Sequence, residues 1–239
     1  MKTLLIAGLL IITTAVAQTL HSQTANDVVN KYIAAMGGKE KLATLKTVRM
    51  EGSLTVQGTD MAVVITKKHL TGMRIDMSAM GTENYQIITP TKGTVFMPMQ
   101  GMPIPLGMPD DLFKSYQPEL ALEGPFVNYM NKGTAVELMG NDTVNGENCY
   151  NLKVTYNYGI TINYFISTNT SYLVKTRGKV IISGEERETT NTYSNYKQNA
   201  DGFWFPYRTS NIDITLIDIT TDYTKIDTNI PVDDSIFNQ

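Results

Sequence analysis

At 239 residues with 42% hydrophobic content, the chain can bury a sizeable core within one domain. A net charge of −3 spread over scattered Lys and Arg leaves no footprint for nucleic acid or an anionic membrane surface. The single cysteine, Cys149, excludes an internal disulfide, and beyond the N-terminus no run approaches the roughly 20 apolar residues of a spanning helix.

Lys2 precedes an apolar run over residues 4–12, and Ala15, Val16 and Ala17 supply the small residues of a processing site. A secretory signal peptide is therefore expected over residues 1–17, cleaved near Ala17, with a periplasmic mature chain beginning at Gln18. Thr24 or Asn26 can then cap a helix in which Val28, Val29, Tyr32, Ile33 and Met36 recur at helical spacing before Gly37 and Gly38 end it. A shorter helical turn over residues 39–45 leads into strands. Val48, Met50, Leu54 and Val56 alternate with Arg49, Glu51, Ser53 and Thr55; Met61, Val63 and Ile65 follow, then Met73, Ile75 and Met77. Residues 85–89 and 94–97 continue this meander.

Residues 97–109 are apolar but rich in Pro and Gly, and short helical segments are expected around residues 110–115, 118–122 and 125–131, with Asp110 and Asp111 capping the first. Pro98, Pro103, Pro105 and Pro109 remove four backbone donors, so this stretch cannot pair as a central strand. Met99, Met102, Ile104, Leu106, Leu112, Phe113, Phe126 and Tyr129 are nevertheless too apolar to be left in water. Residues 97–130 are accordingly expected to form a lid outside the sheet; the alternative is an ordinary connection that completes the core permanently.

The regular pattern returns at Gly140. Tyr150, Leu152, Val154, Tyr156 and Tyr158 alternate with Asn151, Lys153, Thr155 and Asn157, and Ile160, Ile162, Tyr164 and Ile166 resume after Gly159. Tyr172, Val174, Val180 and Ile182 follow, then a turn at Gly184, a more polar strand over residues 185–196 and a turn around Gly202. Ile212, Ile214, Leu216, Ile217 and Ile219 make a closing strand or strand pair with Tyr223 and Ile226, and Phe237 is a terminal anchor. Single Gly and Asn turns between alternating runs indicate a large antiparallel sheet.

The Gly37-Gly38 helix end, the Pro-rich covering segment, Gly140 with Asn145, Gly146 and Glu147, the runs over residues 150–155, 164–167 and 170–173, Tyr196, Gly202, Pro206 and Phe237 together resemble the outer-membrane lipoprotein-sorting proteins related to the periplasmic carrier LolA. The resemblance spans nearly all of the mature chain as a pattern of turns and hydrophobic positions. It implies a mainly β fold with a few helices: one LolA-like domain over residues 18–239, with a strongly curved antiparallel sheet, an incomplete β-barrel, covered by the N-terminal helix and the lid. It also implies that the concave face holds acyl chains. Such carriers have an Arg-Pro pair whose Arg holds the lid, and the matching place here reads Lys68-His69. On a curved sheet the alternating residues Val48, Met50, Leu54, Val63, Ile65, Met73, Ile75, Met77, Leu152, Val154, Tyr156, Ile162 and Tyr164 fall on one concave face, some of them as plain core under the first helix.

Residues with catalytic chemistry are sparse. His21 flanks the cleavage site, and His69 in a Lys-rich turn reads as a surface residue. No nucleophile elbow or phosphate loop accompanies the Ser, Asp and Gly residues, and Glu185, Glu186, Arg187 and Glu188 read as a solvated strand face. Cys149 reads as inert core. No enzymatic activity, cofactor or metal is expected. Met97, Met99, Met102 and Met108 could hold Cu(I) through thioethers, although Met61, Met73, Met77 and Met80 on strands favour a flexible apolar wall. Three functions follow: a carrier shielding the acyl chain of a lipoprotein or lipid for outer-membrane delivery, with inner- and outer-membrane transport partners open; a periplasmic ligand- or partner-binding module of the same fold; and a Met-rich copper-binding protein. A monomer is expected.

Overall fold

The computed structural model describes residues 23–182, 185–212 and 218–238. The expected signal peptide, His21, the Gly184 turn and the apolar positions Ile214, Leu216 and Ile217 lie outside them.

Helix α1, Ala25–Ala35, begins at Thr24, whose side chain accepts from the Asp27 amide while the Asp27 carboxylate accepts from Thr24, a reciprocal box that satisfies two otherwise orphaned donors. Val28, Val29 and Tyr32 form its buried stripe. Helix α2, Lys39–Leu42, turns the chain into the sheet. Strands β1 Thr47–Val56, β2 Thr59–Lys68, β3 Gly72–Ala79, β4 Thr82–Ile88, β5 Gly93–Met97 and β6 Met102–Gly107 make the first set. Helix α3, Asp110–Tyr116, opens the crossing. The second set comprises β7 Ala135–Val144, β8 Glu147–Thr155, β9 Thr161–Ser167, β10 Leu173–Ile182, β11 Glu185–Gln198, β12 Trp204–Ile212 and β13 Asp218–Thr228.

All thirteen described strands join one sheet in the order β6-β5-β4-β3-β2-β1-β13-β12-β11-β10-β9-β8-β7, with antiparallel pairing throughout. The chain therefore folds as two meanders whose first and last strands, β1 and β13, pair at the centre. The sheet is open, since β6 and β7 are its edges. Register sets the faces. Met50 stands opposite Ile65 and Ile226, and Ile65 opposite Ile75; on the other side Leu152 stands opposite Tyr164 and Val154 opposite Ile162. Cross-strand partners share a face, so each strand's alternating apolar residues collect on one side.

The sheet is strongly curled. Six strand intervals separate β2 from β9, roughly 29 Å on a flat sheet with strands about 4.8 Å apart. Ile65 on β2 and Ile162 on β9 nevertheless line the same cavity. Close approach of backbone at the centre permits the bend: the β1–β13 register slips between Glu51 and Gly52, and a Cβ on Gly52 would lie 2.1 Å from the Asp222 carbonyl oxygen.

Three apolar clusters fill the concave side. Helix α1 packs with Phe126 and Val127 on Leu152, Val154, Tyr156, Tyr164 and Ile166. Val48 and Met50 meet Phe203 and Ile226. Met73 and Ile88 are covered by Met108 and Leu120. The C-terminus closes over β3, where Phe237 lies against Gly72 and is 2% exposed. A Cβ at position 72 would sit 2.7 Å from that ring. Gly72→Ala is expected to cost about 1–3 kcal/mol by displacing it, read as a shifted midpoint in urea.

Two features differ from the sequence expectation. Residues 102–107 are not outside the sheet: β6 pairs with β5 as an edge strand. Pro103 and Pro105 alternate, so the donors they lack lie along one edge of the strand only, which an edge position tolerates. Asp110 and Asp111 do not cap α3. Pro109 holds the N-cap position with no side-chain bond, and both acids lie in the first turn, where the helix dipole favours negative charge.

Candidate functional site

Between the curled sheet and residues 115–125 lies a cavity of about 290 Å³. Its floor comes from both ends of the chain: Val48 and Met50 on β1, Ile65 and Lys67 on β2, Ile162 and Tyr164 on β9, Leu173 and Thr176 on β10, then Asn191, Tyr193 and Tyr196 on β11. Trp204, Phe205 and Thr209 on β12 and Tyr223 on β13 complete it. Tyr32, Met36, Leu42 and Leu45 close one end, and Pro118, Glu119, Ala121, Leu122, Glu123, Gly124 and Pro125 form the roof. Curling makes the chamber possible, because aromatic side chains from neighbouring strands converge only when the sheet bends toward them.

The roof is held by the end of β2 through polar contacts. Lys67 Nζ reaches Glu119 Oε2 at 2.6 Å, the Leu70 amide donates to the Leu120 carbonyl at 2.9 Å, and the Leu122 amide donates to His69 Nδ1 at 3.3 Å. Glu123 Oε1 accepts from Lys132 Nζ at 2.7 Å, while its buried Oε2 lies 3.1 Å from His69 Nδ1 and receives no hydrogen bond. Because Nδ1 already accepts from Leu122, two acceptors face each other there; a proton on Nδ1 would exchange the Leu122 bond for one to Glu123. His69 is thus not the surface residue its Lys-rich turn implies. At the place of the lid-holding Arg, His69 touches the roof, whereas Lys68 reaches away to Asp234 at 2.5 Å.

Charge and burial shift the acids and phenols of this region. The Lys67 ammonium draws the Glu119 carboxyl below its usual range, outweighing burial. Burial pushes Glu123 up, but the Lys132 hydrogen bond, its own amide and the Lys132 and His69 charges together leave it lowered. Burial, helped by the Glu119 charge, raises Tyr32 to about 12, and Tyr164 and Tyr193 stand above the ordinary phenol range for the same first reason.

These shifts fix how the roof responds to acid. Both folded carboxyls lie below their unfolded values, so their contribution is complete above the unfolded value near 4.3 and is lost as pH falls through the lower folded values. Amide exchange in residues 119–125 is expected to lose protection below about pH 4 while β8 stays protected, which hydrogen exchange across an acid series reads directly.

Of the cavity positions expected from sequence, Met50, Ile65, Ile162 and Tyr164 line this chamber. Leu152, Val154 and Tyr156 are core under α1, and Met73 and Ile75 lie beneath Met108, Leu120 and Phe113. Leu54, Val63 and Met77 share the face but lie farther along their strands, outside the lining. The lid positions scatter. Met99, Ile104 and Leu106 are exposed and Met102 is half-buried, around the β6 edge; Leu112 and Phe113 are half-buried on α3. Phe126 is core, and Tyr129 packs beside it with its hydroxyl donating to Asn26 Oδ1. None of these eight lines the chamber; its roof is the shorter stretch between them.

The expected lid range, residues 97–130, contains that roof, but the residues that form it and the aromatic wall of β11 to β13 were not among the expected site residues. A signal was present: Tyr193, Tyr196 and Tyr223 are large rings in otherwise polar strands, and Trp204 and Phe205 belong to an aromatic run over residues 203–207. Among the other chemical candidates, Cys149 is buried, and burial followed by the Glu147 charge raises its thiol. Met108 lies in the Met73 cluster while Met99 is exposed, so these two belong to different surroundings. A larger recess of about 510 Å³ opens at the rim between α3 and the end of β10, lined by Arg177, Lys179, Glu186 and Glu188, of which Lys179 and Glu186 already pair at 2.6 Å. It is more polar and somewhat more open than the first chamber, and no aromatic residue lines it.

No protein-family model and no curated protein matches the chain. Solved structures do. A LolA superfamily protein from Nitrosomonas europaea superposes with a TM-score of 0.56 at 15% identity, over 91% of this chain and 99% of that one. A DUF1329 family protein from Desulfovibrio piger gives 0.58 at 13%, over 90% and 98%. An outer-membrane lipoprotein-sorting protein domain from Vibrio parahaemolyticus, a function its own description marks as provisional, gives 0.50 at 10%, over 89% and 95%. At these identities the likeness establishes architecture, and the chain shares the open, curved, antiparallel fold of these three structures.

Proposed function

We propose that this protein is a non-catalytic periplasmic carrier whose chamber shields an acyl chain, from a lipoprotein or a lipid, on its way to the outer membrane. One observation carries the reading: an aromatic and aliphatic chamber of about 290 Å³ lies under a roof of irregular backbone that a few polar contacts hold in place. A permanent core would fill such a space, because interiors are packed to the density of organic crystals. The roof contacts are the kind that exchange with water at modest cost, so the roof can open where the strands cannot. The sorting-protein fold neighbour and the signal-peptide pattern of residues 1–17 support the same reading. Among the described residues no helix is long and apolar enough to cross a membrane.

Native mass spectrometry of protein purified from periplasm, followed by organic extraction, tests this. Co-purifying acyl species are expected. A protein that emerges empty, and stays empty after exposure to acyl amphiphiles, would return the chain to the class of binding modules that share the fold.

A further inference from the structure

The chamber is not a uniform greasy slot. Glu119 lines it with 50% of its side-chain surface open, and Lys67, only 15% exposed, occupies one carboxylate oxygen, Oε2, at 2.6 Å. Among the described residues Oε1 receives no hydrogen bond. The Glu119 charge helps to raise the phenols of Tyr32 on α1, Tyr164 on β9, Tyr193 on β11 and Tyr223 on β13, all of which line the same chamber. A plain acyl chain laid against that oxygen would leave a charged acceptor facing methylenes, which is unfavourable.

The surrounding rings offer faces more than donors. Tyr164 shares a hydroxyl bond of 2.7 Å with Tyr156, Tyr193 one of 3.3 Å with Thr176, and Tyr196 donates to the Leu173 carbonyl at 2.8 Å. Trp204 lines the same chamber, so Glu119 shares it with several aromatic rings and keeps one carboxylate oxygen, Oε1, for a ligand. That pairing is the one that recognises ammonium groups, because the ring quadrupole and the carboxylate both attract a cation.

We infer that the preferred ligand is an amphiphile whose polar end is a protonated amine, its ammonium seated on Glu119 Oε1 among the chamber's aromatic rings and its chain running along the aliphatic floor. This rests on the carrier reading and narrows its cargo. Lys67 then has two roles: it holds the roof when the chamber is empty and competes for Glu119 when it is occupied.

The test compares three probes of equal chain length, dodecylamine, dodecanol and dodecanoate, by isothermal titration below their micellar concentrations. Dodecylamine is expected to bind roughly tenfold or more tightly than either of the others. Glu119→Gln should abolish that preference, so that dodecylamine binds no more tightly than dodecanol. Lys67→Met, which breaks the same ion pair but spares the carboxylate, should strengthen dodecylamine binding; a merely structural ion pair would make both variants behave alike. Equal binding of all three probes would overturn the amine assignment and leave the carrier reading standing. Preference for dodecanoate, lost in Lys67→Met, would overturn it in favour of an anion site. Failure of every probe would overturn the carrier reading itself.

Discussion

Phe126→Ala is expected to cost about 3–5 kcal/mol of folding stability, among the largest effects of any single substitution in this chain. Phe126 is 1% exposed and contacts the edges of two other rings, Tyr32 of α1 at 5.1 Å and Tyr164 of β9 at 5.3 Å between centroids. Truncation would remove both aromatic contacts and leave a ring-sized void between helix and sheet, which rigid strands on one side cannot close. Guanidinium unfolding should show the loss, with α1 amides exchanging faster than those of β1. A cost below about 1 kcal/mol would mean that residues 126–129 are part of the movable roof instead of the fixed core.

Ala121→Trp should leave stability within about 1 kcal/mol of the parent while weakening uptake of an acyl probe by on the order of 10- to 100-fold. Ala121 lines the chamber from the roof, where the backbone is irregular and the space beneath is empty, so an indole there occupies volume without displacing strand side chains. The paired readout separates occupancy from folding. Unchanged uptake with unchanged stability would show that the chain does not bind in this space. A substitution of similar size on a strand, such as at Val154, could not make that distinction, because Val154 is fully buried in the α1 core and its enlargement would unfold the sheet first.

Strand faces were legible because period-two alternation survives wherever one side is buried: Leu152 and Val154 against Asn151 and Lys153 is enough to orient β8. Helix α1 was equally plain, with its cap at Thr24 and its stop at Gly37 and Gly38. The chamber was legible only in part, since alternation says which face a residue takes but not which strand lies across the curl from it. Ile65 and Ile162 line one cavity because six strand intervals bend, and no local pattern encodes that. The apolar side chains of residues 97–130 pointed to a cover, yet the roof itself is Pro118, Glu119, Ala121, Leu122 and Glu123, whose small and charged members carry little hydrophobic signal. His69 differs from expectation for a related reason: its environment is made by a distant segment, Leu122 lying 53 residues further along the chain.

The chain contains one tryptophan, Trp204, and it lines the chamber. Its fluorescence therefore reports on the claimed site without any label. Amphiphiles carrying bromine atoms midway along the chain quench indole only at close contact, so titration with a brominated chain and its unbrominated twin measures whether the chain lies against Trp204. Saturable quenching by the brominated compound alone is the result expected of a carrier that holds acyl chains in this chamber. Saturable binding without quenching of Trp204 would place the chain elsewhere on the protein and contradict it.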